Sequence, residues 1–369
     1  MVMTALPGNV QEQPQRSSTI LSAFTSNWFV IVMGWGGMLD VVARVWGTKG
    51  VMTGWIETGV WINSSIFAIL IAIWLTRWFV SPDRMWAELT HPALSHFFGL
   101  IPISMTIIGL NWSLMGAEFG PAVLHPIINV MWLLSVGIGL LFSIIITDAL
   151  MRQGQSNPAQ VSFAWLMGSV ANALFPLLGN VVVSEEFKHS LGWARFVNVV
   201  DIAYFGMGLF LFIFLTSFLF SRYFSAPQPP SAVTPTSWLL LGAAAVLSLG
   251  VWGIAASSER VGLMAPTSFS LLLAFSLWGL AGWSFLLGLV MTLRVWFMGQ
   301  LHFTLSWWAF VFPISAYVLD SRQLAAAGHI GWLADWSDAF IVMMFLFFVI
   351  VLTGTVVGLV TGRLFHSKG

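Results

Sequence analysis

The sequence predicts an all-α integral membrane protein: ten transmembrane helices paired as five helical hairpins, one helix of each pair turned inward. Three observations carry this expectation. The 369-residue chain is 58% hydrophobic and 8% charged, with a mean hydropathy of +0.89, whereas soluble domains carry about 25% charged residues. It contains ten apolar stretches, each long enough to cross a hydrocarbon core that takes about 20 residues of helix. These stretches also alternate in kind. The even-numbered ones run without proline in their cores and end at Arg77, Arg152, Arg222, Arg294 and Arg363. The odd-numbered ones are shorter, or carry Gly34, Gly36 and Gly37, Pro102, Pro176, Gly242 or Pro313. A helix facing lipid must satisfy its own backbone hydrogen bonds, so such breaks belong beside protein or water.

In chain order, residues 1–26 read as a polar, mobile N-terminal tail, with Gln11, Gln13, Gln15, Ser17 and Ser18 and without the basic start and compact apolar core of a cleaved leader. Residues 27–365 read as a single ten-helix transmembrane pore domain. Its spans are drawn at 27–46, 60–80, 93–112, 121–150, 162–183, 194–222, 236–256, 266–296, 305–324 and 338–364. The fourth, sixth, eighth and tenth exceed the bilayer and must tilt or project. Ser225–Thr236, with Pro227, Pro229, Pro230 and Pro235, links the third hairpin to the fourth.

Orientation follows the positive-inside rule. The face holding both termini has eight Lys and Arg (Arg16, Arg77, Arg84, Arg152, Arg222, Arg294, Arg363, Lys368) against six on the other (Arg44, Lys49, Lys188, Arg195, Arg260, Arg322), where acidic residues including Asp40, Glu185, Glu186, Asp201 and Asp320 concentrate. Both termini are therefore expected in the cytoplasm, the membrane being a bacterial inner (plasma) membrane. Many of the 21 tryptophans sit near span ends, where indoles favour the interface. The chain has no cysteine, which excludes disulfides and thiolate metal sites. Its formal net charge of zero gives no support to nucleic-acid binding.

The odd helices define the chemistry of any path between them. The first supplies Gly34 and Gly37 as smooth wall, the third Pro102 with Ser104 and Thr106, the fifth Asn172 and Pro176, the seventh Gly242, and the ninth Phe310, Phe312, Pro313 and Ser315. On the spans as drawn, no charged residue falls in the middle third of an odd helix, because Asp40, Arg44 and Asp320 lie toward one end. Hydroxyls, helix dipoles and phenylalanines without a mid-membrane carboxylate suit an anion held weakly enough to pass quickly.

These residues also carry a resemblance. His91-Pro92 followed by Phe98-Gly99-Leu100-Ile101-Pro102-Ile103-Ser104 resembles the third-helix signature of the tellurite-resistance/dicarboxylate transporter family. Trp307-Trp308-Ala309-Phe310-Val311-Phe312-Pro313 resembles its ninth-helix signature, and Asn27-Trp28-Phe29 with Met33-Gly34, and Pro235-Thr236-Ser237-Trp238 with Leu241-Gly242, its first and seventh. The family holds TehA-like proteins, malate and sulfite permeases and slow-type anion channels. The resemblance covers about residues 27–360 and implies five hairpins in quasi-fivefold arrangement, a central pore in each protomer and a homotrimer. It also implies that Phe312, by its place before Pro313, plugs the pore. Trp35 in the glycine cluster and the run Ala243-Ala244-Ala245 depart from the family pattern.

Each assignment has a plainer competitor. Phe312 without the resemblance is a packed core aromatic, and Phe310 is read as structural. His91 marks a helix start, with proton sensing as the alternative. His91, His96 and His125 have no neighbouring carboxylate or repeat spacing to support metal binding, and Asp40 with Arg44 reads as a local i,i+4 ion pair. The five arginines read as interface anchors that could also concentrate anions at a mouth. The function expected is transport of small anions (C4-dicarboxylates such as malate, sulfite or inorganic anions), with no cofactor, no metal, and membrane lipid and a homotrimer as partners. A proton-coupled carrier is the alternative; a membrane redox enzyme, with His91 and His125 as the nearest haem candidates, is remote.

Overall fold

The structure is a computed structural model that describes residues 23–153 and 160–366. Ten long helices dominate it: α1 Val30–Trp46, α2 Val51–Val80, α3 Leu100–Ser113, α4 Pro121–Gln153, α5 Met167–Glu186, α6 Leu191–Ser225, α7 Leu239–Arg260, α8 Ser268–Phe297, α9 Trp308–Gly328 and α10 Gly331–Val360. Short helices at Pro82–Leu89 and Arg363–His366 lie outside this set. Among the described residues, nine helices are apolar and long enough to cross a membrane; α9 is not one of them. The second span begins at Val51 rather than near 60, and the tenth at Gly331 rather than 338. Most of the expected tail lies outside the described residues, but its end is packed: Phe24 is buried and stacks on Trp28.

The expected alternation is present in the burial. In α1, α3, α5 and α7, with their entry turns, 72–78% of the most apolar stretch is buried, against 22–28% in α2, α4, α6, α8 and α10. Every residue of α9 from Trp308 to Val318 is buried. The five sheltered helices touch in a closed circuit, α1 to α3, α3 to α5, α5 to α7, α7 to α9 and α9 back to α1. Each outer helix lies against its own hairpin partner and the next inner helix along: α2 on α1 and α3, α4 on α3 and α5, α6 on α5 and α7, α8 on α7 and α9, α10 on α9 and α1.

The irregularity foreseen inside the inner helices sits mostly at their starts. Each is entered through a 3-10 turn: Ser26–Phe29, Ser95–Gly99, Phe163–Leu166, Ser231–Trp238 and Leu305–Trp307. Helical structure then continues through Pro102, Pro176, Gly242 and Pro313. Pro102 lies in the first turn of α3, where a backbone N–H has no intrahelical partner to lose. The entry turns bury aromatic anchors, and the fourth and fifth hairpins repeat one contact. Trp238 Nε1 donates to Thr292 Oγ1 of α8 at 3.0 Å, and Trp308 Nε1 to Thr355 Oγ1 of α10 at 3.0 Å. Both threonines donate onward to the carbonyl one turn earlier, so these buried polar groups are satisfied.

Candidate functional site: the inner ring around Phe312

Phe312 is 3% exposed, and its ring lies over Gly37 of α1. A Cβ at Gly37 would stand 3.2 Å from that ring and 3.3 Å from Ser315 Cβ, so the glycine is what lets α1 approach α9 here. Pro313, about 100° further round the helix, rests on Gly242 of α7, where a Cβ would meet the proline ring at 3.1 Å. One turn of α9 therefore brings Gly37, Gly242, Phe312, Pro313 and Ser315 together. The Ser315 hydroxyl is engaged with the Val311 carbonyl at 3.0 Å and Met344 Sδ of α10 at 3.2 Å. Phe310 packs away from this point, edge-on to Trp238 and stacked on Phe347.

Other expected wall residues have packing duties instead. Gly34 seats Trp308, whose ring would lie 2.5 Å from a Cβ. Ser104 donates to the Phe29 carbonyl at 3.2 Å, tying α3 to the entry turn of α1. Thr106 donates back to the Pro102 carbonyl at 3.1 Å. Asn172 donates to the Gly168 carbonyl at 2.9 Å and shares a helical stripe with Ser169, Pro176 and Gly179. Ser169 bonds the Gly208 carbonyl and Gly179 abuts Asp201, both on α6. The stripe that holds Asn172 and Pro176 thus packs on α6 through Ser169 and Gly179.

Polar groups away from Phe312 take places that the sequence reading did not foresee. Asp40 and Arg44 form no ion pair among the described residues. Asp40 Oδ1 accepts from Asn111 Nδ2 at 3.0 Å, and Asn111 Oδ1 accepts from Asn63 Nδ2 at 2.9 Å, joining α1, α3 and α2. Arg44 is exposed one turn beyond. Asp201, expected on the outer face, is fully buried and accepts from Trp132 Nε1 at 3.0 Å. Asp320 is fully buried as well, its Oδ1 2.7 Å from Ser248 Oγ of α7. Because α9 runs on to Gly328, Asp320 stands nearer mid-helix than a span ending at 324 implied. The interior is therefore not free of carboxyl groups. The signal was present: polar residues inside apolar runs, at Asn63, Asp201 and Ser248.

The histidines divide. His91 Nδ1 accepts from the backbone N–H groups of Ala93 and Leu94 at 3.1 and 3.3 Å, as expected of a residue at a helix start. His96 is buried and stacks on Trp165. His125 does have carboxylate neighbours, brought from far along the chain: Nε2 lies 3.1 Å from Glu185, and Glu186 and His189 are close by. Among the described residues no His, Asp and Glu group is arranged to hold a metal ion.

A bundle of long apolar helices in which half of the spans shelter the other half is the fold of a multi-pass membrane protein. Residues 23–356 match the family described as voltage-dependent anion channel, SLAC1, and the chain belongs to that family of anion transporters and channels rather than to an enzyme family. It is similar to an uncharacterized transporter of Methanocaldococcus jannaschii, 26% identical over 94% of this chain and 97% of that protein. It is also similar to a sulfite efflux pump of Trichophyton rubrum (23% identical, 90% and 88% covered) and a malic acid transport protein of Schizosaccharomyces pombe (22% identical, 88% and 78% covered).

Proposed function

We propose that the protein passes small anions (C4-dicarboxylates such as malate, sulfite or inorganic anions) along the axis of the inner ring, and that the Phe312 ring closes this path. The single observation that carries the reading is the seat of Phe312 on Gly37, within a closed circuit of five sheltered helices. On this reading the path runs beside the turn of α9 where Gly37, Gly242, Phe312, Pro313 and Ser315 meet. Such a wall is mostly apolar and holds an anion weakly, which favours throughput. Arg44, exposed and not paired with Asp40, adds positive charge at the mouth away from the termini. We place both termini in the cytoplasm of a cell with the chain in its plasma membrane, a bacterial inner membrane on the expectation above. The family resemblance makes a homotrimer the expected assembly.

The test is reconstitution in vesicles with reversal potentials for chloride, nitrate, sulfite and malate. Phe312→Ala is expected to raise anion flux; unchanged flux would leave the ring as core packing. A second reading is a proton-coupled carrier; the names of relatives described as a sulfite efflux pump and a malic acid transport protein suit a carrier. It requires flux that follows the pH gradient and saturates at modest anion concentration.

A further inference from the structure

We propose that Asp320 is a proton-binding site whose bound proton pins α9, the helix of Phe312, to α7 and α8. The argument is a count of hydrogens. Ser248 Oγ lies 2.7 Å from Asp320 Oδ1 and 2.8 Å from the carbonyl oxygen of Ala274 on α8. A serine hydroxyl has one hydrogen, and a backbone carbonyl can only accept. With Asp320 ionised the single hydrogen can serve both acceptors only as a weaker, shared three-centre bond; both contacts are full hydrogen bonds when the Asp320 carboxyl is protonated. Its O–H then donates to Ser248 Oγ, and Ser248 donates to Ala274. All three residues are fully buried. Asp320 Oδ2 has no hydrogen-bond partner among the described residues, so an ionised carboxylate would hold a full charge on one shared donor, which is far costlier than a neutral carboxyl with one idle oxygen.

No charge from the surrounding elements offsets that cost. From α7 the facing group is the Ser248 hydroxyl, and the charged Glu259 and Arg260 stand at the far end of that helix. From α8 it is a carbonyl, and the first charged residue of α8 is Arg294 near its other end. On α9 itself Tyr317 occupies the preceding turn with its hydroxyl toward Trp336, and Arg322 is paired with Asp338 of α10. Asp335 of α10 is exposed. On α1, Asp40 is bonded to Asn111 and Arg44 is exposed.

Loss of the proton breaks the relay. Ser248 must then turn its single hydrogen toward the carboxylate and weaken its bond to Ala274, and the buried charge is left without further partners. Asp320 lies about two turns from Phe312 on one helix, so the protonation state biases the element that carries the proposed gate. The proton is taken from and returned to water, with only an O–H bond formed or broken. The functional half of this inference rests on the anion-path reading; the protonation itself does not.

Two measurements separate them. Infrared difference spectra of the purified protein should show a protonated carboxyl band that disappears in Asp320→Asn and shifts in Ser248→Ala. No such band in the wild type overturns the proposal whether or not the protein transports anything. In vesicles, wild-type anion flux should change with pH on the face away from the termini. Asp320→Asn, whose amide still donates toward Ser248, should keep flux and lose that response. An equal pH response in Asp320→Asn, or wild-type flux indifferent to pH, overturns the coupling to α9. If the band is present but the wild type passes no anion, the anion-path reading fails, and with it the functional half; the proton-binding assignment stands.

Discussion

Gly36 and Gly37 are neighbours on α1 with opposite surroundings. A Cβ on Gly36 would overlap Ile107 and stand 2.8 Å from Asn111 Oδ1 and 2.9 Å from Asn63 Nδ2, inside a packed polar junction. A Cβ on Gly37 meets the Phe312 ring at 3.2 Å and Ser315 Cβ at 3.3 Å, contacts that need a shift of only a few tenths of an ångström. Gly36→Ala is thus expected to lower stability by about 1–3 kcal/mol, the usual cost of overpacking, read as a lower melting temperature in detergent. Gly37→Ala should melt close to wild type but alter flux per folded molecule. Should the two variants shift melting equally and leave normalised flux alone, the seat of Phe312 is packing and nothing more. Asn111→Ala removes the bonds to Asn63, whose Nδ2 keeps the Val32 carbonyl, and to the half-buried Asp40, and should cost about 1 kcal/mol. Neither tolerance was legible in the sequence, where a glycine cluster says that something comes close but not what.

At the scale of the element, the arginines that end the outer helices looked alike in the sequence and are not. Arg77 is 3% exposed and forms two bonds with Glu88 of the short helix Pro82–Leu89, at 3.1 and 2.5 Å. Arg222 is 6% exposed and lies over the Tyr223 ring. Arg152 pairs with Asp148 at the surface, and Arg294 and Arg363 are exposed. Glu88→Ala should strand the Arg77 charge and cost about 3 kcal/mol, whereas Arg152→Ala should be nearly neutral; comparing the two melting temperatures checks this. Positive charge at a helix end is visible in a sequence. Whether it anchors to lipid or to protein depends, for Arg77, on a short helix that lies between the spans drawn from the sequence. The prolines teach the same lesson: Pro102 looks like a break until the start of α3 is known.

For the whole molecule, the alternation of sheltered and lipid-facing helices was legible because lipid contact acts on every exposed residue, and it excludes backbone breaks span by span. The direction of the axis was not. Inner helices are apolar all round, so no periodic stripe tells the side toward α6 from the side toward the centre, and the stripe that Asn172 and Pro176 share with Ser169 and Gly179 could not be oriented for that reason. Phe312 came from the family signature, not from any physical pattern. At this scale the charge at the mouth is testable. Arg44→Glu should reduce anion flux, and the reduction should shrink as salt rises, since a surface charge acts over a Debye length of about 10 Å at 0.1 M. A salt-independent effect would point to altered packing instead.

The five entry turns all lie at the end of the bundle that holds the chain termini, so the five inner helices run in one direction. Each presents roughly half a positive charge at its start and half a negative charge at its finish. The outer five run the opposite way but sit farther from the axis, so their field cancels only part of this. An anion in the conduit then sits in a built-in potential gradient, attracted at one entrance and opposed at the other. With identical salt on both sides and the protein inserted in a single orientation, the current–voltage curve should bend, the molecule acting as a rectifier; a straight line through the origin would show that water and counter-ions erase the polarity of the backbone.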